Sequence, residues 1–462
     1  MPNKTKQKLD LINALDSSPK SASKYGLKPA LKNGSKSPSK PTRKSSSKSH
    51  LKTTLKSSPK KIQDFGNDFE NGVSKDIILE RINCALLPQA FATIGTEKMG
   101  AKIMQKKGQI FTFSLKNLSL PALNILKQEA LSAGGDLATP KEAILGEKKP
   151  YSAVLIATST QLEKLIYKCK IQPFGLKKIA QKLESHLAQN AKRFPKIIMP
   201  IINITPDSFY ANSRHSTSQA IKSIIALIES GATLIDIGAA STRPGSELIK
   251  PSEEKKRLKE ICAFISKENL AKRADFSIDT YNPSVADFAL SSGFVMINDI
   301  SGLNNQKMFE VIKHHKAQVV LMHARGTPKD MASHTHYRHL LSEIDEFFAR
   351  KIDKLEASNA SRIVLDIGFG FAKSHAQNLA LIQNLAHFKH FGREILVGAS
   401  RKSSIGEITG RQNPSERLSG SLALALLALQ NGADIIRTHD FSEHIDMLKI
   451  FSAFYDEQAF LD

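Results

Sequence analysis

From Lys196 onward, short apolar runs rich in β-branched residues alternate with amphipathic stretches eight times. The runs are IIMPIINI (197–204), TLIDIGA (233–239), DFSIDT (275–280), FVMINDI (294–300), AQVVLMHA (317–324), RIVLDIGF (362–369), EILVGAS (394–400) and ADIIRTHD (433–440). Near-continuous apolar strands joined by helices read as parallel strands buried on both faces. The intervening stretches, such as SQAIKSIIALIESG and LLSEIDEFFARKIDKL, carry apolar residues at helical spacing. HAQNLALIQNLAHF (375–388) reads as one helix, SERLSGSLALALLALQNG (415–432) as another, and EHIDMLKIFSAFYDEQ (443–458) as the eighth and last. Eight such units match a (β/α)8 TIM barrel, which takes roughly 250 residues. A doubly wound open sheet is the alternative, disfavoured by eight regular units without a GxGxxG turn.

The expected fold class is therefore α/β: a barrel over residues 195–462, preceded by a small α/β domain over 76–194 and a disordered basic tail over 1–75. In the small domain the strand-like QIFTFSL leads to the helical LPALNILKQEALSAGG, whose Gly134-Gly135 suits a helix C-terminus. LATPKEAI, the strand-like SAVLIATS and the helical TQLEKLIYKC follow. No chemical constellation stands out there, and docking or packing is its simplest role.

Charge sharpens the division. The net charge is +22, of which residues 1–63 contribute +14. Lysine recurs every fourth position from Lys20 to Lys60 among Ser, Pro, Gly and Thr. On a helix this spacing would stack like charges, and five prolines interrupt it. With little apolar surface, the segment reads as a solvated tail, with non-specific polyanion binding as the second reading. No stretch is long and apolar enough to span a bilayer, and no secretory signal opens the chain. Cys84, Cys169 and Cys262 lie far apart, which argues against a disulfide framework and points to a cytoplasmic enzyme.

A barrel places its chemistry at the C-terminal strand ends, and every strand here ends in polar residues. Asp279, Asn298 and Asp366 suit the edge of a flat, nitrogen-rich heterocycle, since carboxylates accept from ring N–H and amino groups while an amide reads a mixed edge. Arg243, Lys402, Arg437 and His439 form a cationic set suited to pyrophosphate. Asn203 offers a neutral oxygen to Mg2+ held mainly by phosphate oxygens. Met322 either packs on a ring face or fills the barrel core. His334, His336 and His339 form a weak candidate metal cluster in a long loop.

INITPDSF (202–209), DIGAASTRPG (236–245), SIDT (277–280), INDISG (297–302), LMHARGTP (321–328), LDIGFGFAK (365–373), VGASRKS (397–403) and IIRTHD (435–440) resemble, in order, the motifs of the dihydropteroate synthases over residues 196–462. TPDSF, STRPG and SRKS together separate that family from pterin-binding methyltransferases, which share the barrel. The resemblance implies a transferase of folate biosynthesis and a target of sulfonamides. It would condense 6-hydroxymethyl-7,8-dihydropterin pyrophosphate with 4-aminobenzoate.

It further implies pterin binding by Asp279, Asn298, Met322, Asp366 and Lys402, and pyrophosphate binding by Thr242, Arg243, Arg437 and His439. Mg2+ would touch Asn203. Phe209, Pro244, Phe371 and Ser403, with Lys402, would hold 4-aminobenzoate. Lys402, Arg243 and Asp207 would be the catalytic residues, the last two organising loop closure. Members commonly pair through late helices, so a homodimer is expected, with LSGSLALALLALQ a weak hint. The pattern is departed from at Ala239-Ala240, where Gly-Glu is usual, at Ile367 and Ala372, which replace Pro and Gly, and in the loop after Phe209.

Overall fold

A computed structural model describes residues 69–70, 73–74, 79–190, 192–204, 217–240, 249–327 and 329–454. The chain divides into two compact units at Leu79/Glu80. In the first, Phe69–Glu70 and Val73–Ser74 pair as antiparallel strands, so the stretch expected to be structureless holds a paired segment at its end. The lysine repeat lies outside the described residues.

The second unit begins with helices α1 (Leu87–Thr93) and α2 (Lys98–Gly108), which the sequence pattern does not announce. Next come β1 (Ile110–Leu118), α3 (Leu120–Ser132), β2 (Asp136–Ala138), β3 (Tyr151–Thr158), α4 (Ser159–Cys169) and α5 (Leu176–Asn190). The three strands form an antiparallel sheet in the order β1-β3-β2. Burial alternates along β3, with Tyr151, Ala153, Leu155 and Ala157 turned to the core, so one face packs and the other is open. Helix α3 starts where Ser119 Oγ accepts from Ala122 N and ends at Gly134, whose φ of 88° continues no helix. A capping box of Thr158 and Gln161 opens α4. Gln161 also donates to Gly134 O at 2.6 Å, tying the two helix ends together.

The eight expected barrel strands are all present: β4 (Ile197–Asn203), β5 (Leu234–Gly238), β6 (Asp275–Asp279), β7 (Met296–Asp299), β8 (Gln318–Met322), β9 (Arg362–Asp366), β10 (Glu394–Val397) and β11 (Ile435–Thr438). They are parallel and close into a barrel, β11 pairing with β4. Period-two alternation sorts their side chains. Outward positions such as Ile235, Phe276, Ile278 and Leu365 join the helices in one large cluster. Inward positions Met199, Leu234, Met296, Val320, Val364, Leu396 and Ile435 form a separate plug inside the barrel. Truncating a fully buried residue such as Phe276 to Ala should cost about 3–5 kcal/mol.

Around the barrel run α6 (Thr217–Glu229), α7 (Pro251–Lys267), α8 (Pro283–Leu290), α9 (Lys307–His315), α10 (Leu340–Ala357), α11 (His375–Gln383), α12 (Ser403–Thr409), α13 (Leu418–Gln430) and α14 (Phe441–Phe454). The helix expected over 375–388 breaks. α11 ends at Asn384, whose backbone N–H reaches both Ala380 O and Leu381 O while its side chain also donates to Ala380 O at 2.7 Å. Leu385–Phe391 then form a 3-10 turn. No helix among the described residues is long and apolar enough to cross a membrane.

Candidate active site

Moving two residues along each strand from the apolar plug reaches the next inward layer. From Leu234 this gives Asp236, from Met296 Asn298, from Val320 Met322, from Val364 Asp366 and from Ile435 Arg437. Asp279 stands level with Asn298 in the register, and Asn203 level with Gly238. The strand-end residues singled out by sequence therefore share one layer, and parity puts them there.

The layer is charged and buried. Arg437 Nε donates to Asp236 Oδ2 and its Nη2 to Asp279 Oδ2, each at 2.6 Å. Asn298 Nδ2 donates to the same Asp236 oxygen at 3.0 Å. These bonds leave Asp236 Oδ1, Asp279 Oδ1, Asn298 Oδ1 and the hydroxyl of Ser277 buried with no partner. An orphaned buried acceptor costs about 1–3 kcal/mol, so four in one layer are waiting for donors. Burial pushes Asp279 up from the ordinary carboxylate range, Arg437 opposing. Burial also raises Asp366, against the pull of Lys402.

Lys402 and Phe371 frame the opening. Lys402 donates to Phe369 O, and its ammonium lies 4.4 Å from the centre of the Phe371 ring. Burial pushes Lys402 down to about 8, with Asp366 opposing. Gly370 makes this approach possible. Its φ is 80°, and a Cβ there would meet Lys402 Cδ at 3.0 Å. Ser403 is exposed at the start of α12, beside that lysine.

Beneath Lys402 the preceding residue is fixed. Arg401, at φ 57°, forks onto Asp440 with Nε and Nη2 and onto the carbonyls of Pro414 and Ser415 with Nη1. Its own carbonyl accepts from Arg417 at 3.0 Å. The SRKS motif therefore holds one arginine as a structural anchor and presents the next residue to the barrel mouth.

His439 is expected among the cations, yet burial and neighbouring Arg437 and Arg401 push it down to about 3. It is a neutral imidazole whose Nδ1 lies 3.1 Å from Ser400 Oγ. Arg437, expected on pyrophosphate, here donates to the two carboxylates Asp236 and Asp279. His334, His336 and His339 do not converge: His334 pairs with Asp330, His339 with Lys116, and Arg325 holds the His336 carbonyl. Asp207, Phe209, Thr242, Arg243 and Pro244 lie outside the described residues.

The family described as "Pterin binding enzyme" matches residues 199–439. A protein of Helicobacter pylori named bifunctional dihydropteroate synthase/dihydropteroate reductase is 49% identical over 377 residues, covering 82% of this chain and 99% of the relative. The chain belongs to the dihydropteroate synthases. Among solved structures, that of the Yersinia pestis synthase with a sulfonamide drug is 35% identical at TM-score 0.53 and covers 56% of this chain and 94% of its own. The Xanthomonas albilineans synthase with 4-aminobenzoic acid is 36% identical at TM-score 0.52 and covers 57% and 93%. The resemblance read from eight motifs is borne out, and the methyltransferase alternative falls away.

Within this family frame, two residues escape a reading of the sequence. Asp236 reads as a polar interruption of the strand LIDIG; its parity with Leu234 is the available signal. Lys373 closes the motif LDIGFGFAK, where it looks like a surface cation. It is buried, donating at 3.0 Å each to Gly368 O, Phe371 O and His323 Nδ1. Burial pushes it down to about 7, with Asp366 opposing. It pins the loop that carries Phe371, as does Tyr337, whose hydroxyl donates to Ala372 O.

Proposed function

We propose that the chain joins 6-hydroxymethyl-7,8-dihydropterin pyrophosphate to 4-aminobenzoate, giving 7,8-dihydropteroate and pyrophosphate. The observation that carries this is the buried layer of unpaired acceptors beside Lys402. A pterin edge offers ring N–H and amino donors, and Asp236 Oδ1, Asp279 Oδ1, Asn298 Oδ1 and Ser277 Oγ lack donors. Asp366 and Lys402 hold the rest of the ring, and Met322 lies in the same layer as a face for it.

The amine nitrogen of 4-aminobenzoate forms the new C–N bond, and the methylene C–O bond breaks with its electron pair leaving on pyrophosphate. The nitrogen's extra proton passes to solvent or the departing phosphate. An aryl amine is nucleophilic when neutral, so orientation and charge suffice. Pyrophosphate leaves toward Lys402, Arg437 and the hydrogen-bonding His439, with Thr242 and Arg243 assigned from the motif. Asn203 is suited to Mg2+ by chemistry: it stands at the C-terminal end of β4 and carries a neutral, hard amide oxygen. Bound Mg2+ would neutralise leaving-group charge. Phe371, Ser403 and Lys402 frame the 4-aminobenzoate side with Phe209 and Pro244, and Asp207 and Arg243 would close the mouth against water. The test is pyrophosphate release by purified protein that requires both substrates; none released would overturn the reading.

A second activity, reduction of dihydropteroate, is proposed for the same chain. Its support is the bifunctional relative, because 377 aligned residues cannot fit within 196–462 and so take in much of the small domain. Absence of dihydropteroate-dependent oxidation of a reduced nicotinamide or flavin would reject it. Pairing into a homodimer is supported by an outward apolar face on α13 and α14, where Leu427 and Ile450 are 46% and 71% exposed. Light scattering tests it. Free Cys84, Cys169 and Cys262 support a reducing, cytoplasmic location, and the lysine repeat supports weak polyanion binding.

A further inference from the structure

Outside the barrel, between α10 and the turn Leu385–Phe391, two imidazoles converge on one carboxylate. His390 Nε2 lies 2.5 Å and His387 Nε2 3.3 Å from the same oxygen, Asp345 Oδ1. The three ligand atoms lie within 4.8 Å of one another. Both histidines lie in the 3-10 turn that follows the Asn384 break. In a 3-10 turn side chains at i and i+3 eclipse, so His387 and His390 project together.

The cluster is incomplete as a hydrogen-bonded set. His387 Nε2 is buried, and although it is near Asp345 it makes no hydrogen bond. A third imidazole arrives from the small domain. His186 of α5 has its ring centre 4.7 Å from that of His390 and 5.5 Å from that of His387. Its other side is closed by the edge of Phe113 on β1. A neutral imidazole there has a ring-nitrogen lone pair to give.

We propose that Asp345, His387 and His390 bind a zinc ion at the seam between small domain and barrel, with His186 as fourth ligand. Three imidazoles and one carboxylate are a donor set suited to tetrahedral Zn2+. Bonds of about 2.1 Å place tetrahedral ligand atoms about 3.4 Å apart. The His387–Asp345 spacing already matches, the His390–Asp345 spacing must open, and His186 must rotate inward. The ion would replace a contact in which one oxygen serves two nitrogens by one in which each donor faces the cation. Because His186 sits on α5 and the other three on barrel elements, the site would staple the two parts. It is separate from the Asn203 region, which takes part only with substrate phosphates present.

The test uses the full chain, stripped with chelator, in phosphate-free buffer without substrates. Titration calorimetry with Zn2+ should give one site with a sub-micromolar Kd, and Zn2+ should raise Tm. The double variant His387→Gln/His390→Gln, which keeps side-chain size, should bind at least about 100-fold more weakly and show no Tm rise. It should still form dihydropteroate, which shows that it has folded. His186→Phe should weaken binding about tenfold or more and abolish Zn2+-dependent slowing of hydrogen exchange in α5. No stoichiometric Zn2+ on the wild-type chain, or equal binding by the double variant, would overturn the site. Equal binding and unchanged exchange for His186→Phe would overturn the staple.

Discussion

The two ends of the barrel interior are built from the same materials and differ in one respect. At the N-terminal end Arg362 grips Glu394 with Nε and Nη2 and donates through Nη1 to Gln318, so all three of its nitrogens are engaged. At the C-terminal end Arg437 grips Asp236 and Asp279, with Asn298 alongside, and four acceptor atoms are left over. Both ends bury charge, and a buried ion pair is weak evidence of anything by itself. What separates structure from function is saturation. The closed network holds strands β8, β9 and β10 together. The open one keeps its deficit because a ligand will fill it.

The largest effects should break along this line. Asp279→Ala or Asp366→Ala should lower kcat/KM by at least about 1000-fold, because on the proposed function each removes a pterin partner and no apolar packing. Their Tm should stay within a few degrees of the parent, since burial of either carboxylate already works against its charge. Arg362→Met should do the reverse. It leaves Glu394 buried and unpaired, costing about 3–5 kcal/mol of stability, with kcat preserved below the melting transition. Near-normal activity for Asp279→Ala would undo the contrast. So would loss of kcat in a folded Arg362→Met protein.

Much of this contrast is legible in the amino-acid sequence. The eight strands can be read because burial on both faces makes each a continuous apolar run, and their polar ends follow from the barrel rule. Asp279, Asn298 and Asp366 emerge that way. Asp236 does not, because it lies two residues inside its strand, and only a layer-by-layer parity count exposes it. Lys373 is hidden because sequence does not say whether a cation after a glycine-rich loop turns in or out. The seam cluster is invisible because Asp345 lies far upstream of two histidines that pattern assigns to one regular helix and its end. The break at Asn384 falls inside an unbroken run of apolar spacing, so periodicity does not register it.

Lys402 sharpens the comparison through pH. Its ammonium is held down to about 8 by burial, so the free enzyme loses this charge as pH rises through about 8. The kcat/KM profile should fall on that alkaline limb. Lys402→Ala should lose roughly 100-fold or more at neutral pH. In Lys402→Arg the charge persists to far higher pH, so whatever activity remains should lack the limb. A limb unchanged in Lys402→Arg would assign it to another group.

A smaller effect is expected at the rim. Ser403 is exposed beside Lys402, and on the proposed reading its hydroxyl would give one hydrogen bond to a bound carboxylate or sulfonamide. Such a bond is worth about 0.5–1.5 kcal/mol, or roughly 2- to 12-fold. Ser403→Ala should therefore raise the KM for 4-aminobenzoate and the Ki for sulfonamides within that range, together, with kcat near the parent. If the two constants moved in opposite directions, the shared subsite would be wrong.

The smallest effect belongs to the loop that carries Phe371, and it comes from two neighbouring left-handed positions. At Gly370, φ is 80° and a Cβ would press on Lys402 Cδ, so Gly370→Ala should cost both stability and activity. At Ala372, φ is 48° in a chain that already carries the methyl group. An L-residue in this region costs roughly 1–2 kcal/mol, which Ala372→Gly would relieve. The same change frees the unfolded chain, which costs about 0.4–1 kcal/mol. The two terms nearly cancel, and the carbonyl that accepts from Tyr337 is retained. Ala372→Gly should therefore leave Tm within about 2 °C and kcat unchanged. A large fall in kcat for Ala372→Gly would mean that the alanine methyl, buried beside Lys373, positions that lysine, and the loop would then depend on packing as well as on hydrogen bonds.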